Sequence, residues 1–566
     1  MMYNTTRLPV RRAARFIALA VAALCLGSCT TDPPKKIANR YVTLPHKQVP
    51  EYLKDTILEY TDLGGTEPFP ISGYGLVANL KGTGGSRAPA AVREFIIKDM
   101  ARHGFGNVGG GLDSPEDILN NKSFAIVRVD GFLPVGARAS HKDPASGEAD
   151  WCTWFDVRVS ALPESETASL AHGDLYATDL KVAGANPLDP GSGNVAVRAQ
   201  AMGSIFINPA YALDDTTDTA AARSSRRTGV VIGGAKPLEN RPLFLRLRSP
   251  ERRMARAIER RVNEQFQDVM DKDLPVKGNT TFLCEAEDEG IVKVFVPRAY
   301  VDDWTHFAGV LKHLYLNGGL PQYATVKAEQ LAQEAVKPGA ALMDISYALE
   351  GLGKPAMHAI TPLLTNPSPE VQFAAARAAA FIGDPAAVPV LMSIARTQGN
   401  PFRVNAVRAL GQLPQSPMVD RLLTQLLGID EAMVRIEAYE VLARHKDGAI
   451  YSRVIKRGNN EKFMLDIVPG GGTPMVYASR QGIPRLAVFG VRTAVDLPVM
   501  FVAMNNRLTI SSVGDNEVVT VYYRGAELRK PVSVACGTSI AEIVAKLGGE
   551  TVPGEQALDF SYADVV

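Results

Sequence analysis

The sequence predicts an α+β protein with several domains: a β-rich first half, a helical repeat region and a small β-rich C-terminal domain. Polar and apolar residues alternate at 156–159 and 195–200, as they do in half-buried strands. Similar alanine-rich helical segments recur every 31–32 residues between 336 and 450. Strand-like segments return after residue 460. A chain of 566 residues, 46% of them apolar, can bury several cores.

Residues 1–29 are predicted to be a lipoprotein signal peptide rather than part of the fold. A basic start precedes a 12-residue apolar run at 16–27, which is too short to span a bilayer of about 30 Å. The run ends in Leu26-Gly27-Ser28-Cys29, the pattern of a bacterial lipobox, so Cys29 is the predicted lipid attachment site. The alternative is an ordinary secretory signal with an incidental cysteine. Residues 30–50 are polar and proline-containing and are predicted to form a tether.

No later apolar run reaches 18 residues, because the best candidate, 486–504, is interrupted by Arg492 and Asp496. The mature chain is therefore expected to contact the membrane only through its N-terminal lipid. Composition also limits the partners. The 61 Lys and Arg nearly balance the 60 Asp and Glu, whereas a nucleic-acid-binding protein needs a sustained basic excess. No nucleic-acid partner is expected.

The sequence offers no catalytic, cofactor-binding or metal-binding constellation. The eight histidines are dispersed, and neither a Cys-x-x-Cys pair nor a Gly-x-Ser-x-Gly elbow is present. The glycines in 82–85 are followed by Ser86-Arg87 instead of the lysine and hydroxyl of a phosphate-binding loop, which favours a tight turn. The acidic stretches 214–218 and 285–289 are interpreted as polar loops. We therefore expect a non-enzymatic protein without cofactors or metals.

An ordered series of segments fills residues 73–180. A Gly-Tyr-Gly-Leu-Val strand leads into a Lys-Gly-Thr-Gly turn, and a second strand leads into Leu-Pro-Val-Gly-Ala-Arg at 133–138. A third strand runs into Val-Ser-Ala-Leu at 159–162, and His-Gly-Asp-Leu-Tyr-Ala-Thr-Asp-Leu follows at 172–180. This series resembles the flagellar basal-body P-ring protein family. A later strand that leads into a helix extends the resemblance to about residues 50–320.

The resemblance implies a β-rich domain at 51–225 and an α/β unit at 226–325 in a non-catalytic structural protein of the bacterial flagellum basal body, serving motility. Such a protein would form or support a homo-oligomeric ring in the periplasm around the flagellar rod. The predicted lipid anchor would place this chain at the outer membrane. Its partners would be its own copies, other basal-body or envelope proteins, and peptidoglycan. The lipobox and the helical repeats lie outside the resemblance. They leave an alternative, a periplasmic lipoprotein adaptor that binds a protein partner through its repeats.

A helix is predicted to begin at Ser249, with Pro250 in its first position and Glu251 in its first turn. It is strongly basic, with Arg252, Arg253, Arg256, Arg260 and Arg261. These arginines form either a solvated face or a surface for anionic cell-wall polymer, lipid headgroups or a neighbouring subunit. Because a ring needs two different surfaces that fit each other, the candidate assembly surface is Arg252, Arg253, Arg256 and Arg260. The acidic stretch 285–289 is its possible complement.

The helical region at 336–450 contains three similar segments, which begin at Val371, Phe402 and Val434. A Gly-Asp-Pro at 383–385 resembles the turn of a HEAT-like repeat. Each helical hairpin needs a neighbour to cover its apolar face, so the segments are expected to stack into a solenoid. A separate β-rich domain is predicted for 460–566.

The repeat register makes residues comparable between hairpins. Three alanines are equivalent and expected to be buried, and two arginines are equivalent on successive helices: Ala375, Ala406 and Ala438, and Arg377 and Arg408. If both ring surfaces lie within 50–320, deletion of 336–450 is expected to spare oligomerisation.

Overall fold

The computed structural model describes residues 42–566 except 81, 103–113, 140–151, 183–194, 208–219, 271–273, 278–279, 446–448, 458–459, 480–483, 504–506, 514–516, 526–530 and 552–556. The predicted signal peptide, Cys29 and the acidic stretch 214–218 lie outside the described residues. A compact unit begins at Pro45. Within it, the Lys47 ammonium lies 2.7 Å from the Asp62 carboxylate, so the end of the predicted tether already belongs to the folded unit.

Six antiparallel strands close into a barrel, and the first strand of the chain, β1 (Thr61–Gly64), lies outside it. The barrel strands are β2 (Phe69–Ala78), β3 (Ala125–Leu133), β4 (Phe155–Ala161), β5 (Asp174–Val182), β6 (Val197–Ser204) and β7 (Thr228–Pro237). They pair in the order β2-β3-β4-β7-β6-β5, and β5 returns to β2. Alternate side chains point inward, and Val127, Val129, Val157 and Val159 are buried.

A four-residue helix, α1 (Ile57–Tyr60), precedes β1, and its Ile57 belongs to the core of the second unit. Three helices lie between barrel strands in the chain: α2 (Ala90–Arg102), α3 (Pro115–Asn120) and α4 (Ala220–Arg226). Helices α2 and α3 pack outside the barrel, where Val92, Ile96 and Leu119 meet Leu76 and Ile126 in a second apolar layer.

The barrel ends at Pro237, beyond the boundary that the sequence placed between 225 and 226. Strand β7 pairs with both β4 and β6, so the barrel cannot close without it. The sequence predicts that the glycine-containing segment 228–234 begins a new unit. The strand pairing shows instead that this segment belongs to the strand that completes the barrel.

The second unit is a four-stranded antiparallel sheet covered by helices. Strands β8 (Leu243–Leu247), β11 (Cys284–Ala286) and β12 (Ile291–Val294) join β1 in the order β1-β8-β12-β11. A small hairpin of β9 (Val276–Lys277) and β10 (Thr280–Thr281) precedes β11 in the chain. The covering helices are α5 (Arg252–Gln265) and α6 (Trp304–His313), preceded by a 3-10 helix at Arg298–Asp303. Ile258, Val262, Leu245, Val292 and Phe307 share its core.

Helix α5 starts at Arg252, later than the sequence predicted. Glu251 is its N-cap residue, its side chain makes no capping hydrogen bond, and Ala255 N–H donates the first helical bond to Glu251 O. The Glu251 N–H instead donates to the Glu289 carbonyl (2.9 Å). Ser249 and Pro250 therefore remain outside the helix, because the chain is still bonded to the β11–β12 turn at Glu251.

Eight helices form the solenoid: α7 (Pro321–Ala335), α8 (Leu342–Leu352), α9 (Met357–Leu363), α10 (Pro369–Ile382), α11 (Val388–Arg396), α12 (Arg403–Leu410), α13 (Pro417–Leu426) and α14 (Ala432–Leu442). Ala375, Ala406 and Ala438 are all buried, which agrees with the predicted register. Gly383 takes a left-handed conformation (φ 84°) and ends α10. Asp384 then accepts a hydrogen bond from Ala386 N–H and opens the next turn of helix.

Two small sheets follow. The first sheet has the strand order β13-β14-β16-β15 and consists of β13 (Tyr451–Arg457), β14 (Asn460–Val468), β15 (Met475–Ser479) and β16 (Arg485–Phe489). In the second sheet, each strand pairs with the next one along the chain: β17 (Met500–Ala503), β18 (Leu508–Ser512), β19 (Val518–Tyr523) and β20 (Val532–Gly537). Helices α15 (Ile540–Gly548) and α16 (Tyr562–Val565) complete the chain. The first sheet already begins at Tyr451, before the predicted start at 460. The α+β class with a helical solenoid is confirmed.

The solenoid shares one apolar core with both of its neighbours. Leu53 and Tyr315 join this core at one end, and Val468, Ala487 and Phe489 join it at the other. Terminal repeats need such covers, because their outer faces would otherwise be exposed. Deletion of 336–450 would uncover apolar surface at both ends. The expectation that this deletion spares oligomerisation thus loses its physical basis.

The C-terminal helix returns to the barrel. The Asp564 carboxylate lies 3.4 Å from His172 Nδ1, on the loop before β5. Burial would raise the pKa of Asp564, but hydrogen bonds from His172 and Ser561 outweigh it and hold that pKa below its usual value. Ile232 of β7 also packs against the apolar cluster of the C-terminal sheet and helices. The last residues of the chain thus contact its first domain.

Two further features bear on the chain's environment. Cys152, Cys284 and Cys536 are buried free thiols, and burial raises the pKa of each, to about 11 for Cys536. In the part of the chain that the structure describes, no helix combines the length and the apolar character needed to cross a bilayer.

Candidate assembly surface

Helix α5 has an apolar face and a basic face. Ala255, Ile258 and Val262 are fully buried against the sheet. The four candidate residues, Arg252, Arg253, Arg256 and Arg260, are all exposed. Three of them are spaced four residues apart, at 252, 256 and 260, so they follow one stripe along the helix. We call Arg252, Arg256 and Arg260 the arginine stripe.

The stripe has no partner among the described residues of its own chain: none of its guanidinium groups makes a hydrogen bond or an ion pair there. Like charges at i,i+4 destabilise a helix by a few tenths of a kcal/mol per pair. Arg252 also lies at the positive end of the helix dipole, where the first turn carries no acidic residue. Glu259 and Glu264 of the same helix form no ion pair with the stripe in the described residues, which leaves room for an anionic partner.

Arg261 does not belong to this surface. Its Nε donates to Tyr315 O (3.0 Å) and its Nη2 donates to Gly351 O (2.9 Å), while only 5% of the residue is exposed. Burial lowers the pKa of its guanidinium. The sequence shows five arginines in ten residues, but only the helical phase shows that this one turns inward and joins α5 to the solenoid.

A groove of about 440 Å³ runs between the arginine stripe and the β11–β12 hairpin, with Glu259, Asn263, Ala286 and Asp288 along its sides. The acidic stretch 285–289 lies in this hairpin: Glu285 is in β11, and Asp288 Oδ1 accepts from the N–H groups of Gly290 and Ile291 (2.8 Å each). The hairpin thus sits beside the stripe on the same chain. A head-to-tail contact requires a complementary face on a distant part of the chain. The acidic stretch 285–289 is therefore not the complement of the arginine stripe.

A second, wider groove of about 840 Å³ follows the other side of α5, next to Arg253, Met254 and the loop at 316–320. Asp55 and Tyr60 also line it. Burial, with the nearby Glu59 and Asp55 carboxylates, raises the pKa of Tyr60 to about 12. The Tyr60 hydroxyl therefore keeps its proton and remains a hydrogen-bond donor at neutral pH.

A buried polar cluster joins α6 to the solenoid, and sequence reasoning missed it. His306 Nε2 lies 2.7 Å from Glu350 Oε1, and Arg377 Nη2 donates to His306 Nδ1. Because an arginine can only donate, Nδ1 is the acceptor and Nε2 carries the proton. Arg377 also donates to Ser346 Oγ (3.0 Å) and covers the Tyr347 ring. His306 and Glu350 are 44 residues apart, so no local motif could reveal the pair.

Across the described ranges, no group of three or more His, Cys, Asp or Glu side chains is arranged to hold a metal ion. The chemistry that the surface itself offers is anion recognition: guanidinium groups form charge-assisted, often bidentate hydrogen bonds with carboxylates.

Comparison with known families identifies two regions. Residues 56–330 match the flagellar P-ring protein family, and residues 345–403 match HEAT repeats. The first match covers a little under half of the chain and contains the barrel, the second unit and all four candidate arginines. Both resemblances found in the sequence are confirmed, and the chain is similar to the P-ring family over this region. No curated protein matches the chain.

Proposed function

We propose that this chain is a non-catalytic structural protein that forms or supports a periplasmic ring around the flagellar rod. The observation that carries the proposal is the family match over 56–330, because it includes a complete barrel and a complete second unit rather than a fragment. The proposed partners are other copies of the chain, other basal-body or envelope proteins, and peptidoglycan.

The architecture supports a structural role. A closed barrel has no free edge strand to pair with other chains, and its neighbours share buried cores with it or with one another. The exposed candidate surface, Arg252, Arg253, Arg256 and Arg260, lies on a helix whose other face is fully buried. Its position is therefore rigid, as an interface in a ring requires.

The proposal is tested by imaging basal bodies purified from cells that carry a labelled copy of the chain. We expect label at a ring around the rod and loss of that ring when the gene is deleted. Basal bodies that retain a complete ring without the protein, or that carry no label, would contradict the proposal. The adaptor that binds a protein partner through its HEAT-like solenoid would then become the leading function.

We also propose that Cys29 carries a lipid that anchors the chain at the outer membrane, on the strength of the Leu26-Gly27-Ser28-Cys29 pattern. In a Cys29→Ala variant, fatty-acid labelling should disappear and an unprocessed precursor should accumulate. Cys25→Ala is the matched control, because it removes a cysteine from the same segment, and it should label like the wild type. Labelling that persists in Cys29→Ala would show that the cysteine is incidental.

A further inference from the structure

The loop between β4 and β5 presents two glutamates in a fixed arrangement. Glu164 and Glu166 are exposed, whereas the side chains that alternate with them, Ser165 and Thr167, are 5% and 2% exposed. The hydroxyls of Ser165 and Thr167 lie 2.9 and 3.1 Å from Gly85 O. With its inward side chains bonded, the loop directs both carboxylates outward.

The glycine turn at 82–85 packs closely on two sides: Gly84 lies against the segment before β3, and Gly85 lies against the acidic loop. A Cβ atom on Gly84 would lie 2.3 Å from Phe124 O, and one on Gly85 would lie 3.0 Å from Thr167 N. Thr83 Oγ1 also donates to Ser169 O (2.8 Å). The turn that the sequence singles out thus serves as the support of the acidic loop.

The acidic loop and the arginine stripe lie at opposite ends of the barrel. The loop follows Ala161, which pairs with Val127 near the start of β3. The second unit, with α5, follows β7 and joins the other end, where Arg241 donates to Leu133 O at the end of β3 and to Gly65 O. The barrel strands are seven to ten residues long, which corresponds to about 23–33 Å along each strand and less along the barrel axis, to which the strands are tilted.

We propose that Glu164 and Glu166 of one copy receive Arg252 and Arg256 of the next copy in a head-to-tail contact. Two different surfaces on opposite ends of one chain generate a heterologous contact, the kind that closes into a ring. Glu164 lies in a turn closed by the Ser165 N–H bond to Leu162 O (3.0 Å), and side chains two residues apart are separated by at most about 7 Å. Helical side chains four residues apart are separated by about 6 Å. The two pairs therefore match in spacing as well as in charge.

Within the described part of one chain, neither the arginine stripe nor the two glutamates have a charged partner. Like the arginine stripe, Glu164 and Glu166 form no ion pair or side-chain hydrogen bond with the described residues. The contact would give each carboxylate a bidentate guanidinium partner. This inference rests on the proposed ring function and names the interface that would build it.

Charge reversal on the full chain tests the contact. Arg252→Glu with Arg256→Glu, and separately Glu164→Arg with Glu166→Arg, should each weaken self-association about 100-fold, because each places like charges opposite each other. The variant that carries all four changes should assemble again, and so should an equimolar mixture of the two reversed variants. Association is measured by sedimentation velocity and electron microscopy, and circular dichroism verifies that each variant is folded.

Arg396→Glu with Arg421→Glu is the matched control, because it makes the same charge change on exposed solenoid positions and should assemble like the wild type. If wild-type rings form but either reversed pair assembles normally, or the fourfold variant fails to recover, the contact is wrong while the ring function stands. If the wild type stays monomeric at high concentration, with lipid and cell wall present, both the contact and the ring function fail.

Discussion

Replacing Arg377 with alanine is expected to lower the free energy of unfolding by about 3–5 kcal/mol, because the change removes one partner of a buried charged group. Glu350 is 7% exposed and one of its oxygens already lacks a hydrogen bond. Without Arg377, whose Nη1 lies 3.6 Å from that oxygen, the Glu350 carboxylate retains only His306. The contact between α6 and the solenoid should loosen first.

Arg408→Ala is the matched control for this prediction. Arg408 occupies the equivalent position of the next repeat, but its side chain is 46% exposed and pairs with Glu437 at 2.9 Å. The pair is bidentate and Glu437 is 14% exposed, but Arg408 itself remains half exposed to water, so this variant should lose clearly less stability than Arg377→Ala. Urea unfolding of the full chain measures both. Similar losses from the two substitutions would contradict the assignment of Arg377 to a buried junction.

A second large effect is expected from Ala406→Phe. Ala406 is fully buried in α12, and a ring inserted there overpacks the helix stack, at a cost of about 1–3 kcal/mol. Asn405→Phe adds the same side chain at the neighbouring exposed position and should have little effect. Thermal unfolding compares the two variants. An Ala406→Phe protein that melts with the wild type would show that the repeat register is wrong.

The parts of the fold that depend on local periodicity could be predicted from the sequence. Alternation located β4, and the recurrence of Val371, Phe402 and Val434 located the solenoid with its buried alanines. What the sequence could not show was pairing between distant segments. Whether 228–234 completes the barrel or opens a new unit depends on β4 and β6, which lie elsewhere in the chain. The same reason hid the junction of His306 and Glu350.

The candidate surface was predicted only in part, for a similar reason. Composition identified the arginines of α5 but not their direction, and one residue, a rotation of about 100° around the helix, separates exposed Arg260 from buried Arg261. The acidic stretch 285–289 attracted notice because its charges are consecutive. Glu164 and Glu166 attract none in the sequence, because their importance comes from the buried Ser165 and Thr167 and from the loop's place at the far end of the barrel.

The contact between His172 and Asp564 has a consequence for how the protein matures. It joins residues that lie 392 positions apart, so it can form only after the chain has been synthesised as far as Asp564. A chain that folds from its N-terminus completes the barrel first. The His172 side of the barrel then stays uncovered until the segment with Asp564 packs against it. A chain that ends between the barrel and Asp564 would leave the His172 side of the barrel uncovered and more accessible to proteases.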